Sequence, residues 1–380
     1  LLMSKLSKMK GLFGILAFLV IALALTTGLI LYAKGYRWNL KKGSVETTGI
    51  ITIRSKPSSG TVYINGEKKG ETDLDITGLS PNKYTIKIVK EGFFPWEKEI
   101  EVKKEVVALL EAVLLPSSPS LKALTFTGVA NPVFSQDSNR IVFSVQEQPY
   151  AGIWSLNLSN RQIIDILSPN ELTKVVTDST GVSFSTSTYS FSPDGKKILV
   201  TTLDTKPKYF LLDPSNTNSN PSEISAEEVR NLETSWETQR KEQQATQIKS
   251  LGKEAEDLAS TLTNIVFSPD KTKFIGTDSQ GVTFLYDSKP DKISAEKPTK
   301  LTLPLASNYI WYPDNKHLIL IGGGALSMIE TDGTNHTVIY TGNFEQNLVA
   351  PTGDGSKIII LTNLNSTQSK LPNLYAIELR

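Results

Sequence analysis

Gly11 to Ala33 is a run of 23 residues without a charge, preceded by Lys5, Lys8 and Lys10 and followed by Lys34. As a helix it is about 35 Å long, enough to cross a bilayer with some tilt. It also lacks the polar stripe of a soluble core helix. From Thr48 to about Leu115 the pattern changes to period two. Ile50–Arg54, Thr61–Ile64, Tyr84–Lys90 and Glu99–Val102 read as strands. Asn65-Gly66 is a two-residue hairpin signal, because both positions tolerate positive φ. About six short strands in this segment predict a small β-sandwich.

Beyond a Pro/Ser linker at residues 116–120, one pattern recurs. An aromatic or apolar residue, a short turn and an apolar strand follow one another around Asp137, Asp194, Asp270, Asp314 and Asp354. A second strand comes after each: Gly152–Leu156, Tyr209–Leu212, Val282–Tyr286, Ala325–Ile329 and Leu374–Ile377. The Asp positions lie 57, 76, 44 and 40 residues apart, and periods near 40–45 indicate propeller blades of four strands. Five blades are expected, with room for a degenerate sixth. Leu121–Phe126 precedes the first repeat, and the last repeat stops at Leu379-Arg380 without a fourth strand. The early strand is therefore expected to complete the last blade and close the ring, removing exposed edges.

Two spacings are long for visible reasons: a Ser/Thr-rich stretch between Asp165 and Tyr189, and a charged insertion at 222–262. In the insertion Ser225-Ala226-Glu227-Glu228 is a capping box. Val229, Leu232 and Trp236 follow at helical spacing, and the apolar pattern resumes at Leu251, Ala255, Leu258 and Leu262. Two helical segments with a break near Gly252 are predicted. Either the insertion is a solvated element docked by its ends, or Trp236, Leu232 and Val229 belong to a protrusion that binds a partner.

Ser-Pro-Asp-Gly at 192–195 suits a type I turn. The five aspartates therefore read as turn residues rather than as a ring of ligands for metal or substrate. The aromatics Tyr63, Tyr84, Phe93, Phe94 and Trp96 are either the packing of a small domain or a platform for stacking glycan; packing is the reading favoured by domain size.

Composition sharpens this picture. The chain has 380 residues and no cysteine, which removes thiol catalysis and cysteine zinc sites. His317 and His336 are its two histidines. The formal net charge of +1 conceals seven basic residues and no acid in residues 1–43, against 33 basic and 39 acidic residues in the remainder. An acidic body argues against nucleic acid. The apolar run ends in Tyr32, Tyr36 and Trp38, which fits an uncleaved anchor with interfacial aromatics better than a cleaved signal peptide, despite the small-x-small sequence Ala22-Leu23-Ala24.

The ordered series Ser55-Lys56-Pro57, Val62-Tyr63-Ile64-Asn65-Gly66, Gly70-Glu71-Thr72, Leu79–Tyr84, Lys90–Phe93 and Trp96 resembles a PEGA domain. It departs from the family at Ser59-Gly60, Asp73 and Lys83. The repeat array resembles the TolB-like, WD-repeat-related propellers. The combination is similar to membrane-anchored bacterial PEGA proteins. These resemblances imply an extracytoplasmic accessory module with binding roles.

The chain is thus expected to be mainly all-β. Its parts are a basic segment 1–10, a transmembrane helix 11–33, a juxtamembrane linker 34–47, a PEGA-like sandwich 48–115, the linker 116–120 and a propeller 121–380 that carries the 222–262 insertion. No catalytic, cofactor-binding or metal residue is expected. The expected partners are the lipid bilayer, through Gly11–Ala33, and an envelope protein or glycan, with the body outside the membrane. The rival reading is a hydrolase or lyase of cell-surface polysaccharide, which requires two carboxylates about 5–9.5 Å apart facing one funnel.

Overall fold

The computed structural model describes residues 2–33, 36–39, 44–136, 139–158, 172–290, 298–364 and 371–379, with side chains described for 16–32, 36 and most residues from 47 onward. The chain divides into two compact units, Leu1–Leu114 and Leu115–Arg380.

The first unit opens with helix α1 (Leu2–Ala33), which contains the expected span. Among the described residues no helix is long and apolar enough to cross a membrane, so the expected transmembrane helix is not supported there. A hairpin of Tyr36–Asn39 with Ser44–Thr47 follows.

Two sheets then face each other. Gly49–Lys56 runs antiparallel to Leu74–Leu79 and parallel to Val107–Val113. The other sheet has the order Glu67–Glu71, Thr61–Ile64, Asn82–Val89, Trp96–Val102. Alternation sends Ile51, Ile53, Val62, Ile64, Ile86, Ile88, Ile100 and Val102 inward, all essentially without exposure. Trp96 is buried with them, while Tyr63, Tyr84, Phe93 and Phe94 are half-buried.

The second unit contains five four-stranded antiparallel sheets. Blade 1 is built from Ala130–Phe134, Arg140–Val145, Gly152–Asn157 and Leu172–Thr177. Blade 2 uses Thr188–Phe191, Ile198–Thr201, Tyr209–Leu212 and Glu223–Ile224. Blade 3 uses Thr263–Phe267, Lys273–Thr277, Thr283–Asp287 and Thr299–Thr302. Blade 4 uses Asn308–Trp311, His317–Gly322, Ala325–Glu330 and Thr337–Thr341. Blade 5 takes Val349–Pro351, Lys357–Thr362 and Asn373–Glu378 from the end of the chain and Leu121–Ala123 from its beginning. Leu121 pairs with Ile377 and Ala123 with Tyr375, which is the predicted closure. One expectation needs correction: the Ser/Thr-rich stretch includes the fourth strand of blade 1, Leu172–Thr177, whose Val175 and Val176 are buried.

The insertion forms α2 (Ala226–Ser250) and α3 (Lys253–Ala259). The capping box is complete: the Glu228 amide donates to Ser225 Oγ at 3.2 Å, and the Ser225 amide donates to Glu228 Oε2 at 2.8 Å. Gly252, at φ +97°, separates the two helices. A side chain would be strained in this left-handed backbone, so glycine suits the joint.

Three of the seams between blades are apolar. Blade 5 packs on blade 1 through Ile359, Leu361 and Leu374 against Ile141, Phe143 and Leu156. Blade 1 packs on blade 2 through Val142, Ile153 and Val176 against Ile198, Val200 and Phe210. Blade 3 packs on blade 4 through Ile275 and Leu285 against Leu318 and Leu320. Blade 4 is tied to blade 5 by the Tyr312 hydroxyl, which donates to the Gly355 carbonyl. Between blades 2 and 3 the helices intervene. Leu199 of blade 2, with Tyr209, Leu211 and Ile224 beside it, is covered by Val229, Leu232 and Trp236 of α2. Phe274 and Tyr286 of blade 3 are covered by Ala255, Ala259 and Leu262, with Ile248 and Leu251. The sixth sector of the ring is helical.

Candidate interaction surface

Antiparallel blades send their connectors alternately to two ends of the ring. At one end lie the turns between first and second strands, built around the repeated aspartates. Ser192 Oγ donates to Asp194 at 2.6 Å and accepts the Lys197 amide at 3.0 Å. Ser268 does the same with Asp270 and Lys273, and Thr352 with Asp354 and Lys357. In blade 4 Tyr312 takes the serine position, and Asp314 instead accepts from the Lys316 and His317 amides and lies 2.6 Å from His317 Nδ1. In blade 1 Ser135 Oγ accepts the Arg140 amide, while Asp137 lies outside the described residues.

The turns of blades 2, 3 and 4 favour the ionised carboxylate. The Ser192 hydroxyl and the Lys196 amide keep Asp194 below the ordinary carboxylate range. At Asp270 burial pushes upward but is outweighed by bonds from Ser268 and Thr272 and by the Lys273 charge. Burial is likewise outweighed at Asp314 by the His317 ring and two backbone amides. Each of these aspartates accepts side-chain and backbone hydrogen bonds from its own turn.

Three residues beyond each aspartate stands a basic residue that faces the end of the third strand. The registers are Lys273 with Asp287, His317 with Glu330, Lys357 with Glu378 and, in blade 1, Arg140 with Asn157. In the same place in blade 2 burial pushes Asp213 upward but is outweighed by the Ser215 amide, the Asn216 side chain and the Lys197 charge, which together hold it below the ordinary carboxylate range. This ladder was missed in the sequence, although the constant three-residue offset from each aspartate is its signal.

The opposite end carries the connectors between second and third strands and between successive blades. Here large apolar side chains stand in solvent: Phe126 (52% exposed), Tyr150 (48%), Leu203 (64%), Leu305 (94%) and Leu364 (53%). They come from the connectors of blades 5 to 1, within 1, within 2, from 3 to 4 and within 5. At the aspartate end the described connectors expose no large apolar side chain, although Leu172 (36%), Val266 (47%) and Val338 (52%) are exposed in the strands that border it.

The predicted interaction residues fall elsewhere. Val229 and Trp236 are each 7% exposed, and Leu232 packs beside them against Leu199. They dock α2 onto blade 2 and do not present themselves to an incoming partner. Their exposed counterparts on α2, such as Glu233, Glu237 and Lys241, are polar. Among the described residues no group of three or more His, Asp or Glu could hold a metal ion.

The sandwich decides one part of the comparison with known proteins. Residues 48–117 match the PEGA domain. The PEGA match begins at Thr48, where side chains are first buried, and ends just past Leu115. No curated protein matches the chain. Similar solved structures include TolB from Acinetobacter baumannii (14% identity, 78% of this chain and 59% of that one, TM-score 0.23). They also include an oligogalacturonate lyase in complex with manganese (10%, 78% and 86%, TM-score 0.28). A third is the β-propeller domain of the Trilobed protease from Pyrococcus furiosus (12%, 67% and 70%, TM-score 0.22). At these scores the blade architecture rests on strand pairing within the chain, which joins a PEGA domain to five propeller blades.

Proposed function

We propose that this protein is a non-enzymatic binding or scaffold protein of the cell envelope, whose propeller meets a protein or glycan partner through the connectors bearing Phe126, Tyr150, Leu203, Leu305 and Leu364. The carrying observation is that five connectors at that end each expose a large apolar side chain, whereas the described connectors at the aspartate end expose none. Dispersed apolar residues are ordinary on a protein surface, but five of them on the connectors of one end favour that end as an interaction face. The PEGA domain supports an accessory role. The first strands of the five blades, ANPVF, TYSF, TNIVF, NYIW and VAP, contain no Asp or Glu. They therefore offer no source for the carboxylate pair that a polysaccharide hydrolase or lyase requires.

Attachment to a membrane through Gly11–Ala33, with the body outside, belongs to the same proposal. It is supported by the absence of charge in that run and by the exposure of Leu16, Phe18, Leu19, Leu23, Leu25 and Leu29 along α1.

Photo-cross-linking groups placed in turn at Leu203, Leu305, Lys196 and Ser356 in the full chain test the binding face in intact cells. Specific adducts are expected from Leu203 and Leu305 and not from the other two positions. Adducts from Lys196 and Ser356 alone, or from none of the four, would refute it. Protease shaving of the same cells tests placement: a fully protected propeller rules out an external body.

A further inference from the structure

The seams around the ring differ in how much apolar surface they bury. Eleven buried residues form the cluster between blades 5 and 1, eleven that between blades 1 and 2, and seven that between blades 3 and 4. The seam between α3, the end of α2 and blade 3 contains five, and the seam between α2 and blade 2 contains three: Leu199, Val229 and Trp236. Hydrophobic stabilisation follows buried area. With three buried residues and Tyr209, Leu211, Ile224 and Leu232 half-buried, against five buried and six half-buried on the blade 3 side, the α2–blade 2 seam is the weaker of the two helical joints. Its polar reinforcement is slight, with the Arg240 guanidinium donating to the Phe191 carbonyl at 2.7 Å. From Glu237 to Gln243 every residue of α2 is exposed. The helix is anchored at two separated footholds, and Gly252 sits within the one on blade 3, between Leu251 at the end of α2 and Ala255 of α3.

We infer that the ring opens at this seam: α2 lifts from Leu199, Tyr209 and Leu211 while α3 stays seated on Phe274 and Tyr286. Local opening concentrates where buried apolar contact is least. Because α2 occupies the place that a neighbouring blade would fill, its release uncovers a whole sheet face of blade 2 without breaking a strand pairing. The uncovered face accepts apolar residues at i, i+3 and i+7, the spacing of Val229, Leu232 and Trp236 that it now holds. The occupant to which this surface is matched is α2 itself, which makes the insertion a strap that closes its own ring.

The chain contains no cysteine, so single introduced thiols report opening without background. Val229→Cys, Ala255→Cys and Ala376→Cys place one thiol in the α2–blade 2 seam, the α3–blade 3 seam and blade 5. In the full chain under native conditions, Val229→Cys is expected to react with a chromogenic thiol reagent at least tenfold faster than the other two. Equal rates for all three would overturn the inference, as would Ala255→Cys reacting as fast as Val229→Cys. Hydrogen exchange on the unsubstituted chain gives an independent reading should a substitution impair folding. Amides of residues 228–236 are expected to exchange faster than those of 255–259 and of the central blade strands, and equal protection would also overturn it.

Discussion

Lys273 Nζ lies 2.9 Å from Asp287 Oδ2, with about a tenth of either side chain exposed. The two residues face each other across the second and third strands of blade 3, and the same register recurs around the ring. A buried pair of this kind is costly to break and cheap to replace, because removing one partner strands the other charge away from water. Asp287→Ala is therefore expected to cost about 3–5 kcal/mol, whereas Lys273→Met combined with Asp287→Leu should cost nothing or add stability. Urea unfolding of the two variants measures the contrast. Equal losses would show that the pair is not desolvated.

In the aspartate turns of blades 2 to 5 the fourth residue adopts a left-handed backbone: Gly195 at φ +69°, Lys271 at +60°, Asn315 at +61° and Gly355 at +67°. A side chain other than Gly or Asn costs about 1–2 kcal/mol in that region. Lys271→Gly is expected to stabilise the chain by about 0.5–1 kcal/mol after the entropy lost by glycine is allowed for. Asn315→Gly should not stabilise, because Asn tolerates the conformation and Asn315 Oδ1 also accepts the Asp270 amide at 2.9 Å. Thermal unfolding of both variants decides this.

Asp194, Asp270 and Asp314 are held below the ordinary carboxylate range in the folded state. A depressed pKa contributes stability that is fully present above the unfolded-state value, about 3.9 for Asp. That contribution is lost as pH falls through the lower folded values. These groups should leave the melting temperature level from neutral pH down to about 5 and lower it below about 4. Asp270→Asn should reduce the acid-dependent part of the loss. Melting curves across pH 2–8 check both statements, and a fall already complete above pH 5 would refute the first.

The ring closes through three residues, Leu121–Ala123, on the edge of Asn373–Glu378. Lys122→Pro places a residue without an amide donor in the middle of that pairing and leaves an open edge available to another chain. Size-exclusion chromatography should show oligomers of the variant at concentrations where the natural chain runs as a single smaller species. An unchanged profile would show that the strand is dispensable.

Much of this architecture was legible in the sequence because it is local. Ser192-Pro193-Asp194-Gly195 states its turn, Ser225 and Glu228 state a helix start, and Gly252 marks the break between helices. Leu121–Ala123 was legible for a different reason: a ring with an incomplete last sheet needs one more strand. The location of the α2 docking surface was not legible. Val229, Leu232 and Trp236 announce an apolar stripe, but a stripe does not say whether it meets a partner or the chain itself. That answer depends on blade 2 having one sheet face left uncovered, a property of blade packing at long range. The Leu172–Thr177 strand was hidden by its polar surroundings. The exposed tips were hidden by their isolation, since Leu203 and Leu305 are single apolar residues in otherwise ordinary connectors.

The closing strand has a mechanical meaning. It follows directly on the linker that leads from the PEGA domain, so a pull along the chain from its N-terminal side arrives first at the clasp of the ring. The Glu378 amide bound to the Ser120 carbonyl at 2.9 Å, and the Ser120 hydroxyl bound to Glu378 Oε2 at 2.6 Å, stand ahead of the strand and take that load before it does. Tension would therefore unfasten blade 5 before it disturbed any other sheet, which makes the connection between the two units a fuse as well as a tether.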